Sequence, residues 1–228
     1  MADQSAAEAK QQNIAAMGDA LGVQYTQLWQ EVAQLNITWA EFIELFGTKT
    51  SRIELMNRSA GNFFRMVQDS LWEGLMLHLA RLTDRPQSLG KTNLTLYNLP
   101  ALIPDAKLKD DVEVLCKEAT DKTQFARDWR NRHIAHRDLD LALGTTAKPL
   151  PAVEIKQVKD ALECISKILN RIALPYMNST TSFGHGVHLH GAVELLYLLD
   201  DGHRLQTERR KKLEESNYAI DLWPIRDL

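Results

Sequence analysis

Within ten residues, WRNRHIAHRD (129–138), three arginines, two histidines and an aspartate surround a short apolar centre. On an ideal helix, steps of roughly 100° per residue sort these side chains into faces. Arg130, His133 and Arg137 share one face, and Phe125, Trp129, Arg132 and His136 share another. His136 then borders an apolar surface with arginines nearby, which disfavours the imidazolium and leaves a neutral ring able to accept a proton. Guanidinium groups can grip a phosphate bidentately. One histidine that takes a proton and one arginine that steadies a charged phosphorane suffice to cleave RNA without a metal, the ribose 2′-hydroxyl being the nucleophile. The same residues also allow a plainer reading. In a helix that carries Asp128, Asp138 and Asp140, arginines and histidines can simply form surface ion pairs.

Arg130 and His136 lie roughly 120° apart on a regular helix, so one straight helix cannot aim both at one phosphate. Either the helix is irregular at the motif, or the working pair forms across a dimer axis. The second alternative would make the face of Phe125 and Trp129 interfacial.

Two other stretches invite chemistry. RPQSLGKT ends in Gly90-Lys91-Thr92, half of a phosphate-binding loop, but Arg85 stands where the first glycine should be and a helix precedes it instead of a strand. A polar turn is expected there. HGVHLH carries His185, His188 and His190. With no acidic or thiol partner in the loop and no standard spacing, no metal site is expected, and no cofactor is called for.

Other elements must position the motif. From Leu21, Tyr25, Leu28, Val32, Leu35 and Trp39 recur at helical spacing, and Gly47 closes that helix. A second long helical pattern runs to Asp84, before Pro86. Together they predict an N-terminal helical hairpin over 21–84. The motif helix is expected at about 105–140, and C-terminal helices at 152–177 and 191–215. Residues 1–18, small and polar, are read as a flexible terminus, and 19–228 as one all-helical domain. The class is all-α, with a bundle core. A formal net charge of -3 gives no global attraction to nucleic acid, so binding would need a local basic patch. Cys116 and Cys164 lie in helical apolar patterns and read as buried free thiols. No apolar run is long enough to span a bilayer, and the first residues do not resemble a secretion signal, so a cytoplasmic protein is expected.

RNRHIAH sets an arginine, a polar residue beside it and a histidine six positions after the arginine. It resembles the signature of HEPN domains, an all-helical superfamily. FARDWRNRHIAHRDLDL is similar to its abortive-infection, AbiU-type subgroup, and the resemblance extends to FFRMVQDSLWEGLMLHLARLTD upstream and NRIALPYMNSTTSF downstream. It implies an HEPN-type helical bundle in which Arg130 is the family arginine, Asn131 the adjacent polar residue and His136 the family histidine. Many such proteins are metal-independent endoribonucleases of toxin–antitoxin and antiphage systems, acting as dimers that bring two motifs into one cleft. Others are non-catalytic RNA- or partner-binding modules. Some carry a tyrosine two residues after the histidine that a partner enzyme modifies, and here Asp138 holds that place.

The expectation is therefore a homodimeric endoribonuclease in which Arg130 and His136 are catalytic. Asn131, Arg132, His133 and Asp138 support RNA binding, Phe125 and Trp129 lie at the dimer interface, and an antitoxin is a candidate partner. A non-catalytic binding module and a purely structural dimerisation domain are the alternatives. The acidic net charge leans towards the binding module.

Overall fold

The computed structural model describes residues 5–88, 90–134, 139, 143, 149–150, 152–184 and 190–216. The first helix, α1 (Ala6–Met17), occupies the stretch expected to be a flexible terminus. Ser5 and Glu8 start it with a reciprocal capping box: Ser5 Oγ accepts from the Glu8 amide at 3.3 Å, and Glu8 Oε2 accepts from the Ser5 amide at 2.9 Å. The helix then docks on the start of α2 (Asp19–Phe46). Asn13 Nδ2 donates to Thr26 Oγ1 at 2.9 Å, and Met17 is buried. At Gly22 an added Cβ would stand 2.6 Å from Ile14 Cα. The polar composition hid this docking because backbone packs against a glycine there, with no apolar stripe to mark it.

The turn at 47–49 leads into α3 (Thr50–Leu82), which is interrupted at Ala60 by non-helical backbone (φ -160, ψ 64). A two-residue antiparallel pair, β1 (Gln87–Ser88) with β2 (Lys91–Thr92), follows, and Gly90 takes φ +76 at its tip. Where a polar turn was expected, Gly90 lies in the turn and Lys91–Thr92 form the returning strand of a small hairpin. Two 3-10 turns, Leu96–Asn98 and Pro100–Leu102, bring Leu96, Leu99 and Pro100 into the core before α4 (Ala106–Lys122). Asp105 caps α4 by accepting from the Leu108 amide at 2.6 Å.

The expected motif helix is not continuous. It breaks at Thr123 into α4 and α5 (Gln124–Trp129), then widens into a π-helical turn at Arg130–Ile134. Further on, α6 (Ile155–Met177) ends at Asn178 in the left-handed region (φ 49), and α7 (Ala192–Ser216) is the last described helix. The chain is all-α.

The packing separates two compact units, where the sequence had suggested one domain over 19–228. The first comprises 1–40 and 70–186. In it α4 and α6 run antiparallel, with Arg171 Nη2 2.7 Å from Asp111 Oδ2. Val112, Cys116, Ile165, Ile168 and Leu169 are buried. Both cysteines are free, and burial pushes the Cys116 thiol up to about 12 and that of Cys164 to about 11, so neither is a ready nucleophile. The second unit comprises 41–69 and 187–228. The joined ends of α2 and α3 carry a core of their own, with Leu45, Leu55, Met56 and Phe64 buried alongside Ala192 and Leu196 of α7. Glu41 accepts from the Ala192 amide at 2.5 Å and so caps α7. No described helix is long and apolar enough to cross a membrane.

Candidate functional site

The motif segment lies in the first unit, against α3 and the turn that ends it. Thr83 and Asp84 supply that turn. Thr83 is 3% exposed, and its hydroxyl sits 2.8 Å from that of Thr123, which is 0% exposed. Two buried hydroxyls in mutual contact tie the end of α3 to the α4–α5 junction, where an unpaired one would cost about 1–3 kcal/mol.

Arg127 completes the tie. Its Nη2 donates to the Thr83 carbonyl and hydroxyl, both at 2.7 Å, and its Nη1 donates to the Thr120 carbonyl at 2.9 Å and the Thr123 hydroxyl at 3.2 Å. Its Nε stands 3.7 Å from Asp84 Oδ1. Burial lowers the Arg127 pKa, Asp84 opposes that shift and Arg130 adds to it. Arginine's ordinary pKa is so high that the side chain stays charged.

Arg130 opens the π turn. Its Nη1 donates to the other oxygen of Asp84, and its Nε donates to Asn131 Oδ1 at 3.0 Å. The Arg130 side chain keeps 23% exposure, against 14% for Arg127. Asn131 is exposed and Arg132 is half-buried. One turn on, His133 Nε2 lies 3.5 Å from Glu73 Oε1 of α3. The His133 ring meets Trp129 edge to face at 5.5 Å, and Trp129 meets Trp72 of α3 likewise at 5.7 Å. All three rings are half-buried. Trp129 Nε1 is buried and has no partner among the described residues.

The structure therefore gathers Arg130, Asn131, Trp129 and His133 on one segment. His136 and Asp138 lie outside the described residues. The helix is irregular at the motif, one of the two alternatives that the angle between Arg130 and His136 left open; π turns of this kind are rare and are often found at functional sites. Phe125 is only 8% exposed within its own chain, and Trp129 is covered by Trp72 and His133. Those aromatic residues thus have partners inside the subunit, and the face they share supplies no separate argument for an interface.

The histidine loop needs one correction. A carboxylate does stand near it: His190 Nδ1 is 2.8 Å from Glu194 Oε2, one helical turn along. Both side chains are largely exposed. His185 and His188 lie outside the described residues. Among the described residues no cluster of histidine, cysteine and carboxylate side chains is arranged to hold a metal.

Sequence reasoning missed Asp84, Arg127, Glu73 and Trp72. Arg127 stands three residues before Arg130, so the helical spacing was visible, but two of its four hydrogen bonds go to Thr83, 44 residues away. Nothing local marks such a contact.

The comparisons with known proteins agree with the resemblance. The family model described as AbiU2, an HEPN model, matches residues 18–195. Neither the curated proteins nor the solved structures yielded a match.

Proposed function

Because this chain belongs to the AbiU2 family of HEPN domains, we propose that it serves abortive infection as a metal-independent endoribonuclease. His136 accepts the proton of a ribose 2′-hydroxyl, whose oxygen attacks the adjacent phosphorus. Arg130 stabilises the charge on the phosphorane, and the 5′-oxygen leaves by taking a proton from water while His136 returns its own to solvent, giving a 2′,3′-cyclic phosphate and a 5′-hydroxyl end. A homodimer brings two motifs together. The observation that carries this reading is the presentation of Arg130, a partly exposed guanidinium on a π turn, held by Asp84 and Asn131. Beside it stand the half-buried rings of Trp72, Trp129 and His133, side chains of the kind on which unpaired RNA bases stack. The test is cleavage of total cellular RNA in excess EDTA, with the 3′ ends of the products analysed. Wild type should leave cyclic phosphate ends, and His136→Ala should lose about 10²–10⁴ in rate. Cutting that persists in His136→Ala contradicts the reading.

One observation favours a second reading, a non-catalytic binding module. Asp84 faces Arg130 and Glu73 faces His133, and these two carboxylates reduce the positive field that RNA would meet. A folded wild type that binds RNA or a protein partner and cuts nothing would select that reading.

A further inference from the structure

Arg127 lies outside the arginine–histidine pattern, and it does more than tie α3 to the α4–α5 junction. We infer that Arg127 is a positioning residue, which sets the guanidinium of Arg130 through the carboxylate of Asp84 that the two share. The kinetic consequence rests on the ribonuclease reading; the geometry does not.

An arginine has five N–H donors. Four of those on Arg127 bond the carbonyl and hydroxyl of Thr83, the carbonyl of Thr120 and the hydroxyl of Thr123. The fifth, on Nε, faces Asp84 Oδ1 at 3.7 Å. With every donor directed inward, Arg127 has none left for a substrate phosphate. Its anchors belong to the end of α3 and the α4–α5 junction, where Thr83 and Thr123 are buried. It is part of the rigid frame.

Asp84 is the link. One carboxylate oxygen faces Arg127 and the other accepts from Arg130. An aspartate turns about two side-chain torsions, and the charge of Arg127, 3.7 Å away, draws one oxygen towards the α4–α5 junction and so biases the other towards Arg130. The charges also fit: two guanidinium groups against one carboxylate leave one net positive charge, at the more exposed end of the chain of contacts. A misplacement of about 1 Å can cost about 10²-fold in rate, so the pose of Arg130 matters more to turnover than to binding.

The experiment uses the full chain and a single-stranded oligoribonucleotide in EDTA. Arg127→Gln and Asp84→Asn, with Arg127→Lys as the milder variant in case the first fails to fold, are each combined with Arg130→Gln. Arg127→Gln should lower kcat about 10- to 100-fold with little change in KM. In the Arg130→Gln background it should add nothing, because the residue it acts through is gone. A merely structural role would slow both backgrounds alike, and that result would overturn the inference. A second readout does not need activity: the Nε–Hε resonance of Arg130, whose proton bonds Asn131, should shift and exchange faster in Arg127→Gln or Arg127→Lys. An unchanged resonance in a folded variant would overturn the inference. A shifted resonance in a protein whose wild type cuts no RNA would uphold the positioning and remove the ribonuclease reading.

Discussion

α6 and the α5–π-turn segment occupy the same unit and are held in opposite ways. α6 buries Val158, Leu162, Ile165, Ile168, Leu169 and Ile172 along one side. Its order comes from close-packed apolar surface, which any side chain of similar volume partly supplies. The motif segment buries Phe125 and Ala126 and then no residue of the π turn. It is fixed by directional polar contacts to Thr83, Asp84 and Glu73 and by edge-on aromatic pairs. Packing tolerates replacement and gives stability. Directional contacts give a defined pose to a few side chains and fail when one partner changes. A site that must present one guanidinium needs the second kind of support.

The largest effect expected on the first kind of support comes from α6. Leu169 is 0% exposed, and Leu169→Ala should cost about 2–5 kcal/mol of stability, read by denaturant unfolding. The behaviour of the residual folded protein at the motif should be unchanged. A selective loss at the motif would break the distinction. Next comes the α1–α2 contact. Gly22→Ala places a Cβ 2.6 Å from the Ile14 backbone and should cost about 1–3 kcal/mol, with α1 amides losing hydrogen-exchange protection first. Full protection of α1 in that variant would show that the close approach is not what holds it.

Thr83→Val keeps the shape of the side chain but takes one partner from the Thr123 hydroxyl and the acceptor from one Arg127 donor. It should cost about 1–3 kcal/mol and also disturb the motif, which Leu169→Ala should not. Equal behaviour of the two variants at the motif would remove the contrast drawn above.

The smallest effect concerns pH. His78 is held below its ordinary value of 6.5, chiefly by burial and then by Arg81, while Glu31, 2.8 Å from its Nε2, partly offsets both. The folded pKa is below the unfolded one, so the unfolded chain takes up the proton first as pH falls. Stability should therefore be complete above about 6.5 and decline with acidification below it. The melting temperature followed from pH 7.5 to pH 5 should show this slope in the wild type and a shallower one in His78→Gln. Equal slopes would mean that His78 does not contribute.

The two kinds of support also differ in how far the sequence reveals them. Spacing of Val158, Leu162, Ile165 and Leu169 marks α6, because burial on one side of a helix imposes a three-to-four repeat on the chain itself. The motif residues Arg130, Asn131 and His133 were visible as a cluster, and the family resemblance named the first two. What holds them was not visible. Asp84 pairs with Arg130 across 46 residues, and a polar contact at that separation imposes no repeat. The π turn itself was not foreseen, since the angle between Arg130 and His136 left open both an irregular helix and a pair formed across a dimer axis. α1 was missed for a third reason: its contact with α2 is made through Gly22, the residue type that leaves no side-chain signal.

In the proposed ribonuclease reaction the guanidinium of Arg130 stabilises the charged phosphorane. Arg130→Lys tests this role most directly, because lysine keeps the charge and loses the planar fork. The initial rate of cutting of one single-stranded oligoribonucleotide in excess EDTA, with both proteins folded and at equal concentration, is the measurement. Arg130→Lys should lose about 10²-fold or more in rate. A rate equal to that of the wild type would contradict that role.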